Sequence, residues 1–147
     1  MEIAVLALGC FWGPEKKFSQ INGILKTEVG YCGGHNSTTT YKEVCSGNSG
    51  HAEVVKLEYD PSIISYNEII ETFFKIHDPT TLNSQGPDFG TQYRSEIFYH
   101  NEEQKKIAKE VLNQIDKQLN GKVVTKISEI KNYCKAEEYH QNYLEKN

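Results

Sequence analysis

Cys10 is the residue best placed to do chemistry. Ile3 to Leu8 is apolar at every position, as in a central strand buried on both faces, and it runs into Gly9-Cys10-Phe11-Trp12-Gly13-Pro14-Glu15. Pro14 followed by Glu15 suits the first turn of a helix, so Cys10 falls where a strand ends and a helix begins. A thiol there feels the positive end of the helix dipole and nearby backbone N–H groups, which favour thiolate and would lower its pKa. That describes a nucleophile, although the same position also suits a cysteine that merely packs in the core. Phe11 and Trp12, read as exposed aromatics on the turn, could add an apolar pocket for a small substituent of a substrate.

Glu53 is the second candidate. From Ala52 to Tyr59 the chain alternates, placing Glu53, Val55, Leu57 and Tyr59 on one face of a strand and Ala52, Val54, Lys56 and Glu58 on the other. A carboxyl among apolar neighbours loses hydration, so its pKa should rise towards the range of a general acid. The competing reading is a strand start that frays and leaves Glu53 in water. Five histidines add a further possibility, a thiol hydrolase or acyltransferase in which Cys10 is paired with a base such as His51 or His77. His51 lies in a turn, His77-Asp78 closes a helix, and His35, His100 and His140 have loop or surface readings.

The elements that must position these residues follow from periodicity. A second strand is predicted over Ile24 to Tyr31, followed by a loop through Gly33-Gly34 and Thr38-Thr39-Thr40. Thr40-x-x-Glu43 predicts a short helical turn that Gly47 stops, and Ser65-x-x-Glu68 predicts a helix through His77 with Ile69, Ile70, Phe73 and Phe74 buried. Asp78 to Arg94 holds Pro79, Gly86, Pro87 and Gly90 without helical or strand period, a length of loop that in a compact domain marks function or disorder. A strand at Ser95 to Tyr99, a helix from Asn101 to Leu119, a last strand from Val123 to Ile130 and a short polar helix from Ala136 to Leu144 complete the chain.

Composition narrows the classes. The 147 residues are 37% hydrophobic and 24% charged, which fits one domain. Sixteen Lys and Arg against twenty Asp and Glu give a formal charge of −4 with no basic stripe, arguing against nucleic acid or an anionic membrane as main partner. The uncharged run Ile3 to Trp12 is about half of a membrane span and lacks a preceding basic segment, so a cytoplasmic protein is expected. Cys10, Cys32, Cys45 and Cys134 are too few and too irregular for a disulfide scaffold, and without a C-x-x-C or H-x-x-x-H pair no zinc site is expected. A thiol-based metal-binding module is the non-enzymatic alternative.

Seven segments, in order along nearly the whole chain, resemble the A-type peptide methionine sulfoxide reductases. They are Gly9-Cys10-Phe11-Trp12-Gly13, Gly30-Tyr31-x-Gly33-Gly34, Thr40-Tyr41-x-x-Val44-Cys45-Ser46-Gly47, Gly50-His51-Ala52-Glu53-Val54-Val55, His77-Asp78-Pro79-Thr80, Gln85-Gly86-x-Asp88-x-Gly90-x-Gln92-Tyr93-Arg94-Ser95 and Ala136-Glu137-x-Tyr139-His140-Gln141. The resemblance implies a single α+β domain with a ferredoxin-like core, a mixed sheet and an elaborated 78–94 loop. It implies reduction of methionine S-sulfoxide, free or in proteins, with no metal, flavin or nicotinamide, by a chain expected to be monomeric.

The implied roles fall on particular residues. Cys10 attacks the sulfoxide sulfur and is left as a sulfenic acid, while Phe11 and Trp12 hold the substrate methyl group. Glu53 protonates the sulfoxide oxygen, with hydrogen bonds from Tyr41 and Tyr93, and Asp88 helps to position substrate and water. A sulfoxide oxygen leaves poorly until protonated, which is why the thiol needs an acid beside it. A second thiol then resolves the sulfenic acid, and thioredoxin or a similar dithiol reduces the disulfide. Many members carry resolving cysteines in a glycine-rich tail, and none follows Gln141 here. Cys134, the only cysteine near the C-terminal segment, is therefore the expected resolver, Cys32 the second choice, and Cys45 reads as structural. The only methionine is Met1, which suits an enzyme that meets oxidants, because no internal thioether is left to oxidise.

Overall fold

In the computed structural model, which describes residues 1–146, the apolar run after Met1 becomes β1 (Glu2–Leu8), followed by α1 (Trp12–Ser19), β2 (Ile24–Cys32), the short α2 (Tyr41–Cys45), β3 (Ala52–Tyr59) and α3 (Tyr66–Lys75). Beyond α3 come β4 (Ser84–Gln85), β5 (Asp88–Phe89), β6 (Ser95–Tyr99), α4 (Glu102–Gln118), β7 (Lys126–Glu129), β8 (Cys134–Lys135) and α5 (Tyr143–Lys146). The main sheet has the order β7-β6-β1-β3-β2-β8. Its inner four strands pair antiparallel, and with α1 and α3 as crossovers they make the β-α-β-β-α-β arrangement of a ferredoxin-like α+β fold. The edge strand β7 pairs parallel to β6, which makes the sheet mixed.

The helices form where the sequence supplies caps. Ser65 and Glu68 make a reciprocal capping box at α3, Thr40 accepts from the Glu43 N–H at α2 (3.2 Å), and Asn101 accepts from the Gln104 N–H at α4 (2.9 Å). Ile69, Ile70, Phe73 and Phe74 are buried, and they join Leu6, Leu8, Val55, Leu57 and Tyr59 in the main core. Val5, Ala7, Cys32, Ala52, Val54 and Phe98 form a second cluster, so the central strands are apolar on both faces as β1 predicts.

Four expectations need correction. The 78–94 segment contains a two-stranded β4–β5 hairpin and a 310 turn at Thr91–Tyr93, elements too short to show a period. The last long strand is confined to β7, and the chain returns as β8 against β2 at Tyr31 and Gly30. The terminal helix is split into a 310 turn at Glu138–His140 and α5. Cys32, just past the end expected for the second strand and so at the start of the loop, is instead the buried last residue of β2. No helix among the described residues is long and apolar enough to cross a membrane.

Candidate active site at the end of the central strands

Strand register assembles the site. β1 and β3 pair with Leu6 opposite Val55, so continuing the ladder by two residues sets Glu53 opposite Leu8, beside Cys10. β1 and β6 pair with Leu8 opposite Ser95, and the same continuation carries Tyr93 towards Cys10. Tyr31 lies directly across from Glu53 on β2. Four chain segments therefore converge at one end of the sheet because antiparallel pairing sets the register of their buried faces.

The remaining groups are docked onto that end. Gly9 adopts φ +98°, and a β-carbon there would collide with the Gln85 side chain, so the β1 end must be glycine for the hairpin to pack on it. Gln85 in turn accepts from the Asp78 N–H (2.8 Å) and donates to the Asp78 carbonyl (2.8 Å), which fixes the hairpin that carries Asp88. Glu137 accepts from the Tyr31 hydroxyl (2.7 Å) and from the Tyr41 N–H (2.9 Å), tying α2 to the sheet. Glu15 accepts from Asn142 N–H (2.8 Å) and from the Thr27 hydroxyl (2.9 Å), and Gln141 bonds both backbone groups of Val29 (2.9 Å each). The C-terminal segment is thus a strap over the site.

Glu53 is 1% exposed. One oxygen, Oε1, accepts from the Phe11 N–H (3.3 Å), and the other, Oε2, is buried without a hydrogen-bond partner. Burial pushes its pKa up to about 8, opposed by the Phe11 N–H and reinforced by the negative charge of Asp88. The carboxyl is therefore protonated at neutral pH, as the strand alternation predicts. Cys10 behaves differently from expectation. Burial raises its pKa to about 11, the Trp12 N–H lowers it only in part, and the charges of Glu53, Asp88 and Cys45 raise it further. The dipole reading of the strand–helix junction omitted the desolvation, and the resting group is a thiol.

Tyr93 is pushed up to about 12, first by burial and then by Glu53, Cys45, Asp88 and Cys10, so its hydroxyl stays a donor. Tyr41 is likewise shifted up by burial, by a hydrogen bond with Cys45 and by the charge of Glu53. These mutual effects place Cys10, Glu53, Tyr41, Tyr93 and Asp88 in one electrostatic neighbourhood, with the proton donors the sequence resemblance implies.

The aromatic side is built around a residue the sequence reading left on the surface. His140 is 1% exposed and is ringed by Tyr139 (4.1 Å between centroids), Tyr41 (4.4 Å), Phe11 (5.3 Å) and Trp12 (5.7 Å). Trp12 Nε1 donates to His140 Nδ1 (3.1 Å), and Tyr143 stacks on Trp12 at 3.8 Å. Because Nδ1 accepts, the ring is neutral with its proton on Nε2, in keeping with the pKa lowered by burial. Phe11 is fully buried against Tyr31 and His140 rather than exposed on its turn, while Trp12 is half-buried.

The histidines considered as hydrolase bases are committed elsewhere. His51 Nδ1 accepts from Gly34 N–H (3.2 Å) and its Nε2 reaches the Asn36 carbonyl (2.7 Å), and a side chain at Gly34 would strike its ring. His77 bonds the Phe73 carbonyl and the Ser95 hydroxyl (2.8 Å), with burial lowering its pKa to about 4. Among the described residues no three His, Cys, Asp or Glu side chains converge as metal ligands. Cys134 sits half-buried on β8, its Sγ facing the Thr39 carbonyl at 3.8 Å.

The arrangement offers a half-buried thiol beside a neutral buried carboxyl and two phenols, with His51 and His77 bonded elsewhere, which suits thiol-dependent redox chemistry better than a thiol–imidazole hydrolase. Comparison with known proteins gives the class its family. The family described as "Peptide methionine sulfoxide reductase" matches residues 2–147. The chain is 69% identical over 146 residues to the peptide methionine sulfoxide reductase MsrA of Pelagibacter ubique, covering 99% of each. The reduced form of Mxr1 from Saccharomyces cerevisiae matches with a TM-score of 0.95 at 43% identity, over 99% of this chain and 85% of that one. Mxr1 in complex with Trx2 matches with a TM-score of 0.69 at 28% identity, over 97% and 84%. This chain belongs to the peptide methionine sulfoxide reductase family, and it is an enzyme that reduces methionine sulfoxide.

Proposed function

We propose that the enzyme reduces the S epimer of methionine sulfoxide, free or in proteins, by direct attack of Cys10 sulfur on the sulfoxide sulfur. The observation that carries this reading is Glu53, a buried carboxyl with a pKa of about 8 and an unpartnered Oε2 in the neighbourhood of Cys10. Glu53 delivers its proton to the sulfoxide oxygen as the Cys10 sulfur approaches, and the Cys10 proton passes to the Glu53 carboxylate. The S–O bond breaks as the oxygen passes to the Cys10 sulfur, giving methionine and a Cys10 sulfenic acid, so the hydrogen on that oxygen is the one Glu53 gave and Glu53 is left protonated by the former thiol hydrogen. The Tyr41 and Tyr93 hydroxyls donate to the polar S–O group, Asp88 helps to place substrate and water, and Trp12 with Phe11 forms the apolar wall for the methyl group.

A second thiol then converts the sulfenic acid to a disulfide, and thioredoxin or a similar dithiol reduces it. Cys134 is the candidate named by sequence, and Cys45 is argued for below. The Trx2 complex of the yeast relative supports a thioredoxin-type donor. Four free thiols suit a reducing compartment such as the cytoplasm. A single-turnover assay with the separated sulfoxide epimers, without reductant, tests the reading. Stoichiometric methionine with loss of the free Cys10 thiol is expected from the S epimer alone; equal methionine from both epimers would contradict the stereochemistry.

A further inference from the structure

Cys45 is the one thiol besides Cys10 whose charge acts on the site. It raises the pKa of Cys10, Tyr41 and Tyr93, and it is itself influenced by Glu53. The placement follows from helix geometry. Tyr41 and Cys45 stand four residues apart on α2, hence on one face one turn apart. Tyr41 is turned inward by the Glu137 bond to its N–H and by the His140 ring at 4.4 Å, so the face that presents Tyr41 to the site presents Cys45 as well. Within α2 only Val44 is buried, Gly47 at φ +82° follows its end, and Cys45 is its exposed last residue.

The other cysteines are bound into the sheet. Cys134 is paired with Tyr31 across the β2–β8 ladder, and β8 would have to leave the edge for its sulfur to travel. Cys32 is fully buried in the second apolar cluster, on the opposite face from Tyr31, with its Sγ donating to the Lys131 carbonyl (3.4 Å).

We propose that Cys45 is the resolving thiol: it lies on the same face of α2 as Tyr41, at the rim of the Cys10 site, and condenses with the Cys10 sulfenic acid. This rests on the sulfenic acid reading above. In the step, the Cys45 sulfur bonds to the Cys10 sulfur, the S–O bond breaks, and the hydroxyl leaves with the Cys45 thiol proton as water. A dithiol reductant then attacks the exposed Cys45 sulfur, Cys10 departs as the thiol, and the reductant's second sulfur completes its own disulfide and frees Cys45. The exposed sulfur is the accessible one, whereas Cys10 is half-buried.

The test uses the full chain, reduced and freed of reductant, with excess methionine S-sulfoxide, read by methionine released and by non-reducing peptide mapping. A Cys10–Cys45 linked peptide is expected. Cys45→Ser should lose most of its steady-state turnover with thioredoxin while accumulating a dimedone-reactive Cys10. A Cys10–Cys134 linked peptide, or unchanged cycling in Cys45→Ser, would overturn the assignment while leaving the sulfur-attack reading intact. Absence of stoichiometric methionine from the unmodified chain would instead overturn that reading, and this one with it.

Discussion

The site has two halves that are held in different ways. Cys10 and Glu53 sit on the ends of β1 and β3, the two central strands, and their mutual position is set by the ladder that pairs Leu6 with Val55. Tyr41, Tyr93 and Asp88 sit on α2, a 310 turn and a two-residue strand, elements that borrow their position from Glu137, from the β1–β6 register and from Gln85 on Gly9. In the proposed mechanism the first half carries the sulfur and the proton, and the second carries donors around the oxygen. The reacting pair is thus placed on long central strands, and the groups around it on short elements held by side-chain contacts.

That contrast orders the expected effects. Glu53→Gln removes the proton from the strand-borne half and should lower the single-turnover rate by about 10²- to 10⁴-fold, with folding retained because the amide is near-isosteric. Tyr41→Phe and Tyr93→Phe remove donors from the other half. Each should cost about 10²-fold or less, and the double variant should approach the product if the two hydroxyls act on the same oxygen independently. A loss in either tyrosine variant as large as that in Glu53→Gln would erase the proposed division of labour.

Substitutions that touch only the scaffold should do still less to chemistry. His51→Gln should keep most of the single-turnover rate while losing about 1–3 kcal/mol of stability, since the ring satisfies both Gly34 N–H and Asn36 carbonyl, read by chemical denaturation. A hydrolase-type thiol–imidazole mechanism predicts the reverse order, with His51 or His77 decisive and Glu53 dispensable. Ser65→Ala removes half of the α3 capping box and should cost about 1 kcal/mol without any kinetic change.

How much could be read from the chain divides along the same line. β1, β3 and β6 are legible because apolar runs and alternation mark buried faces, and α3 and α4 because their caps and stripes are written in adjacent residues. The two-residue strands β4, β5 and β8 carry no period and become visible only through their pairing. Cys10 and Glu53 follow from local pattern, whereas Tyr41, Tyr93 and Asp88 came only through family resemblance, because register between distant strands is not a local property. His140 and Glu137 were missed for the same reason: a three-residue turn has no face, and their importance lies in a strap that returns over the sheet. Cys45 reads as structural in the sequence, and its place one turn beyond Tyr41 on α2 is what suggests the role proposed above. The direction of the Cys10 shift was misjudged because the dipole at a helix start was weighed without the desolvation that accompanies it.

Protonation ties these readings together. The Glu53 pKa is raised from its model-peptide value of 4.5 to about 8, so the neutral form's contribution to stability is complete below about 4.5 and is lost as pH rises through about 8. The same sign governs chemistry, because the acid form is the one that can protonate an S–O oxygen. The most direct test is the single-turnover rate of methionine formation measured from about pH 6 to about pH 9.5, for the unmodified enzyme and for Glu53→Gln. The rate of the unmodified enzyme should fall as pH passes about 8, and the residual rate of the variant should show no such fall. A descending limb of the same midpoint in both proteins would contradict the assignment of Glu53 as the proton donor.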